Sequence, residues 1–161
     1  MEIKEIITNH KVIYLSLFVI PLNIFIISND IGFGLQWIFF RYQITYLGSS
    51  TIPITADLNY ILTGVIKGKS AISELTLVMA MVCFVGAFIL LFSNRDNAIR
   101  ESGYITLIGG ILLVISQMIQ YGVLLHGPAG ISIPVGVPLI FFIGIFLIKE
   151  IKNNSSPNNI L

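Results

Sequence analysis

A chain of 161 residues that is 55% hydrophobic and only 11% charged has too few charges to cover a water-facing surface; a soluble domain carries about a quarter charged residues. The apolar excess is therefore expected to face lipid. A net charge of +1 supplies no long-range field for nucleic acid, and a single cysteine, Cys83, excludes an internal disulfide and metal sites built on thiolates.

Residues 1–11 read as a cytoplasmic tail carrying Lys4 and Lys11, followed by a first apolar run over 12–28, VIYLSLFVIPLNIFIIS. A secretory leader would share this basic-then-apolar pattern, but the chain continues IISNDIGFG without a small-x-small cleavage site, so the run reads as a first transmembrane segment. Residues 29–74 are too polar for a span and too aromatic for a linker, and read as a structured extracellular loop. Within it, GFGLQWIFFRYQITY (32–46) is rich in β-branched and aromatic residues, 47–50 read as a turn, and 51–55 as a second short strand with Pro53 at an edge. The stretch ADLNYILTGVI (56–66) places Leu58, Ile61, Leu62, Val65 and Ile66 on one side of a short helix, with Asp57 near its positive end. The competing reading of 31–47 is an interfacial helix whose Trp37, Phe39, Phe40, Tyr42 and Tyr46 sit among headgroups.

Three more apolar runs follow: 75–92, 104–125 and 131–148, separated by a short cytoplasmic loop (93–103) and a turn (126–130). Like the first, none contains a charge, and each approaches the ~20 residues that cross a ~30 Å hydrocarbon layer as a helix. Residues 149–161, ending NNSSPNN, read as a disordered cytoplasmic tail. With four spans, Lys4, Lys11, Arg95, Arg100, Lys149 and Lys152 share one side, which makes both termini cytoplasmic; Arg41, Lys67 and Lys69 lie opposite in the long loop. The expected fold is thus an all-α membrane protein: a four-transmembrane-helix bundle with a small β-containing extracellular first loop.

The third run carries Thr106, Gly109, Gly110, Leu113, Ser116, Gln117 and Gln120 at three- and four-residue spacing. Small and polar residues in that pattern are the ordinary glue between membrane helices, and Asn23 of the first run is a candidate partner for them. The sharper reading is a quinone, lipid-headgroup or polar-solute site near Gln117 and Gln120. Pro21 is expected to kink the first span and Pro138 to bend the fourth, while Pro134 starts it.

No catalytic constellation emerges. His10 and His126 flank opposite ends of the spans, about a bilayer thickness apart, and cannot share a haem or a metal. Cys83 lies mid-span, out of reach of His126, and reads as a small buried hydrophobe. Ser132 and His126 flank the same turn without a third group to orient the histidine. No phosphate loop or dinucleotide fingerprint is present, and no acidic residue falls inside an apolar run, which argues against a proton- or cation-coupled transporter.

The layout resembles the claudin and peripheral-myelin-protein type of membrane protein. IPITADLNYILTGVI looks like that family's passage from a last loop strand into a short helix, FGLQW at Phe33–Trp37 is similar to its Gly-Leu-Trp motif with Gln36 interposed, and ITLIGGILLVISQ has its small-residue character. The family's pair of loop cysteines is absent. The resemblance implies self-association or adhesion, without enzyme activity. The expected function is accordingly association with a second copy or with other membrane subunits, through the first loop (Trp37, Phe39, Phe40, Tyr42) and the third-span face. The alternatives are an accessory subunit of a larger membrane complex and an oligomeric solute or lipid pathway lined by Gln117 and Gln120. The lipid bilayer is the expected surrounding; no cofactor, metal or nucleic acid is expected.

Overall fold

Pro21 has no backbone N–H to continue a helix, and the first apolar run changes conformation there. In the computed structural model, which describes residues 3–27, 32–93, 95 and 97–154, helix α1 (Ile3–Val19) stops before Pro21 and the chain re-emerges as strand β1 (Asn23–Ile27). Then come β2 (Gly32–Gln36), β3 (Phe40–Thr45), β4 (Gly48–Pro53) and α2 (Ile54–Leu62). Two long helices follow, α3 (Gly68–Leu90) and α4 (Ala98–Tyr121), then the short hairpin β5 (His126–Gly127) and β6 (Gly130–Ile133), and finally α5 (Val137–Asn154).

This overturns the all-α four-helix expectation. Among the described residues the chain has five helices and a six-stranded antiparallel sheet in the order β4-β3-β2-β1-β6-β5. Among the described residues only α3 and α4 are long and apolar enough to cross a membrane; the apolar parts of α1 (His10–Val19) and α5 (Val137–Lys149) are shorter. The expected spans at 12–28 and 131–148 were each a helix and a strand run together. Asn23–Ile27 pairs with β2 on one side and with β6 on the other, Ile24 facing Leu35 and Ile133, and Ile26 facing Phe33 and Ile131. An apolar run of β-branched residues serves either conformation, and periodicity alone does not separate them. Ser28, where the first run was expected to end, lies outside the described residues, as does 155–161 of the expected tail.

The prolines act differently from expectation. Pro21 sits in the link between α1 and β1, Pro134 precedes α5, and Pro138 is in the first turn of α5, where its missing N–H costs nothing and bends nothing. The 32–53 segment forms the three strands β2 to β4, with a break at 37–39 and the turn at Tyr46–Leu47, earlier than the expected 47–50; the strand expected at 51–55 begins at Gly48 and ends at Pro53, and residues 54–55 open α2. Gly34 admits the Phe25 ring on the inner side of the sheet; a Cβ there would collide with that ring and with the Tyr42 carbonyl.

Below the sheet, Tyr14 and Leu17 of α1, Ala80, Phe84 and Ala87 of α3, Leu113 of α4 and Ile140, Ile143 and Leu147 of α5 form one buried apolar core. Close approach of α4 depends on its glycines. A Cβ at Gly103 would stand 2.8 Å from the Gly144 carbonyl oxygen of α5, one at Gly109 2.8 Å from Phe84, and one at Gly110 2.9 Å from Ile140.

Candidate functional site

Strand alternation sends every second residue to each face of the sheet. The face turned toward α3 and α4 receives Asn23 and Phe25 from β1, Gly34 and Gln36 from β2, Arg41 from β3 and Ser132 from β6, and all but the half-buried Arg41 are buried. Helices α3 and α4 complete the enclosure with Ser73, Glu74, Ser116, Gln117, Gln120 and Tyr121. Together these groups surround a polar cavity of about 60 Å³. That is space for several water molecules.

Three groups of contacts hold the cavity wall. Arg41 Nη2 donates to Asp57 Oδ1 at 2.7 Å and Nη1 to Glu74 Oε1 at 3.2 Å, tying β3 to α2 and α3. Burial raises the Asp57 carboxyl above its ordinary range, and the Arg41 guanidinium opposes that rise. Asn23 Nδ2 donates to Ser132 Oγ (3.3 Å), which donates to Gln117 Oε1 (3.2 Å), linking β1, β6 and α4. Ser73 Oγ donates to the Ser116 carbonyl and Ser116 Oγ to the Ser73 carbonyl, both at 2.8 Å, clamping α3 to α4. Among the described residues, four buried polar atoms of this wall have no protein hydrogen-bond partner: Asn23 Oδ1, Arg41 Nε, Glu74 Oε2 and Gln117 Nε2. Their residues all line the cavity. Buried polar groups normally find partners, so four on one small cavity mark a place built for polar contents.

The residues singled out on the third run divide along α4. Ser116, Gln117 and Gln120 reach the cavity, and Asn23 meets Gln117 through Ser132. Thr106, Gly109 and Gly110 lie deeper and are packing residues. Thr106 Oγ1 lies 2.7 Å from the Ser102 carbonyl and 3.1 Å from the Tyr14 hydroxyl, which itself donates to the Phe84 carbonyl at 3.1 Å. Of the loop aromatics, Trp37 stacks on Phe40 at 4.9 Å and donates from Nε1 to the Val19 carbonyl at 2.9 Å, while Phe39 stacks on Phe18 at 5.7 Å. These contacts fasten the β2–β3 hairpin to the end of α1. Tyr42 stands on the opposite face of the sheet, beside Leu35.

Sequence reasoning missed Arg41, Asp57 and Glu74 as a unit. Arg41 read only as an interruption of an apolar stretch, and Asp57 only as a helix-dipole partner. Glu74 fell one residue before the second apolar run, but α3 begins at Gly68, so an acidic residue does lie within a helix of membrane-crossing length. The available signal was the strand period: Arg41 and Gln36 are directly paired and share the side of Asn23.

No protein-family model matches this chain, and no curated protein sequence matches it.

Proposed function

We propose that the protein is a non-enzymatic membrane protein that works by association with a second copy of itself through the outer face of its sheet. The observation that carries this reading is the polarity of the sheet. An antiparallel sheet with one solvated face ordinarily turns apolar residues inward and polar ones to water; here the inner face is polar and the outer one apolar. Two rows of directly paired residues cross the outer face, Ser49–Ile44–Phe33–Ile26–Ile131–His126 and Thr51–Tyr42–Leu35–Ile24–Ile133, with polar residues only at the row ends. Phe33 is 48% exposed and Ile133 47%. Neither row contains an Asp, Glu, Lys or Arg, so the apolar middles of two identical faces meet without repulsion and without demanding a complementary pattern from another protein. Aligned sheets pack face to face in this way in β-sandwiches.

Insertion in a membrane is supported by α3 and α4. Only 33% and 44% of their most apolar windows are buried within the chain, whereas the core helix of a water-soluble domain is mostly covered. Ile72, Leu75, Met79, Val82 and Ile89 of α3 and Tyr104, Ile108, Ile111 and Ile115 of α4 present apolar surface outward. The basic residues Arg95 and Arg100 at the α3–α4 connection favour a cytoplasmic position for that end. Lys11 lies over the Phe92 ring at 4.2 Å, so the N-terminal part of α1 shares it.

The test is the mass of the full chain in a mild detergent by light scattering, with a gel of what accompanies it. A defined homo-oligomer that becomes a monomer in the double variant Phe33→Ser, Ile44→Ser is the expected result. A monomeric wild type, or an oligomer indifferent to that change, overturns the reading. Other polypeptides at fixed stoichiometry overturn it in favour of an accessory subunit.

A further inference from the structure

The cavity on the inner face of the sheet carries an unbalanced charge. Asp57 and Glu74 both pair with Arg41, and among the described residues with no other cation, so the three groups sum to −1 when ionised. A net charge withdrawn from water is costly until a countercharge meets it. Arg41 has already committed Nη1 and Nη2 to these carboxylates, leaving Glu74 Oε2 without a partner at the cavity wall.

A second observation, independent of the carboxylates, points to a ligand. Asn23 and Gln117, 6% and 3% exposed, both line the same space, and each has one amide atom without a hydrogen-bond partner. Their shared link through Ser132 runs from Asn23 Nδ2 to Gln117 Oε1, leaving Asn23 Oδ1 and Gln117 Nε2. If both amides turn over, the link runs the other way and the free ends exchange roles. Either way the residues lining the cavity offer one unpartnered amide oxygen and one unpartnered amide donor, besides the unpartnered oxygen of Glu74 and the charged donor Arg41 Nε.

We propose that this cavity binds a small monovalent cation, of the alkali-metal or ammonium type, on Glu74 Oε2 and the amide oxygen of the Asn23–Gln117 pair. A bound water fits beside it, its oxygen facing Arg41 Nε and the free amide N–H. Size and charge both select this class. A cavity of about 60 Å³ has room for a small ion with its bound water and not for a cation the size of N-methylglucamine. A charge of +1 neutralises the cluster, whereas a divalent ion would demand more carboxylates than the one, Glu74, that lines the cavity. The cavity lies across the sheet from the association surface, so this inference does not rest on that reading.

The experiment uses the purified full chain in detergent with N-methylglucamine chloride as the background salt, a cation too large for the cavity. NaCl, KCl or NH4Cl then replaces it stepwise at constant ionic strength, and the midpoint of thermal unfolding is read. A saturable rise with at least one of the three ions is expected, since a ligand that binds only the folded chain stabilises it by mass action, and the three arms identify the ion. Glu74→Gln should lose the rise. Gln117→Glu, which adds a second carboxylate, should reach half-saturation at a roughly tenfold lower concentration, equivalent to about 1.4 kcal/mol. An unfolding midpoint of the wild type that is the same in all four salts overturns the proposal on its own, whatever the variants do. A rise that persists undiminished in Glu74→Gln overturns it equally.

Discussion

Ser73 and Ser116, on neighbouring antiparallel helices, each donate a hydrogen bond to the other's backbone carbonyl at 2.8 Å, with their hydroxyl oxygens 3.1 Å apart. The exchange satisfies both hydroxyls at the height where the apolar core gives way to the polar cavity. Either single change, Ser73→Ala or Ser116→Ala, removes one donor and leaves the other hydroxyl still bonded, and should cost about 1 kcal/mol of stability. The double variant should cost less than twice that, because the two bonds are one unit. Thermal unfolding in detergent of the four proteins of the cycle measures this.

Arg41 is the most consequential single side chain of the site. Arg41→Met leaves Asp57 and Glu74 buried with no countercharge and is expected to destabilise the fold by about 3 kcal/mol or more. Combining it with Asp57→Asn and Glu74→Gln should recover much of that loss, because no buried charge then remains. Unfolding midpoints that fall further in the triple variant would count against the electrostatic account of this cluster.

Asp57 gives stability a pH dependence of definite sign. Its carboxyl is raised in the folded chain above the ordinary value of 3.8, so between the unfolded and folded values the folded chain holds more protons. Stability therefore falls as pH rises through that window, and the loss persists above it. Taking the wild type from neutral pH down toward about 4 should raise its unfolding midpoint relative to Asp57→Asn measured alongside. A difference between the two proteins that does not change with pH would remove Asp57 as the cause.

Glycines in the helices separate by what surrounds them. Nothing lies within 4 Å of a Cβ built on Gly86, so Gly86→Ala should stabilise α3 by about 0.5–1 kcal/mol through helix propensity alone. At Gly103 the same methyl meets the Gly144 carbonyl oxygen at 2.8 Å, and backbone cannot rotate aside, so Gly103→Ala should destabilise by about 1–3 kcal/mol. Paired unfolding measurements in one detergent check both signs.

Trp37 and Phe33 are close in sequence yet should report on different properties. Trp37→Phe removes the donor to the Val19 carbonyl and should lower stability by about 1 kcal/mol while leaving the mass in detergent unchanged. Phe33→Ser, on the exposed face, should alter the mass and change stability little. The reverse pattern would shift the contact surface to the Trp37 side of the hairpin.

What the amino-acid sequence determined by itself is the pair of long apolar segments that form most of α3 and α4, together with the strand-forming character of 32–53. Segments of that length and apolarity have no way to satisfy their backbone in lipid except as helices, and β-branched and aromatic residues beside short turns favour an extended chain locally. The third-run residues Ser116 and Gln117 and their partner Asn23 were also legible, because polar groups in an apolar run need internal partners. Tertiary structure alone decided the rest. Residues 23–27 and 130–133 are as apolar as any helix in the chain, and they are strands because they pair with each other across more than a hundred residues, a long-range contact that no local pattern records. The same pairing turns the polar side of the sheet inward, and only then do Arg41, Asp57 and Glu74, distant in the chain and individually ordinary, become one buried charge cluster on the wall of a cavity.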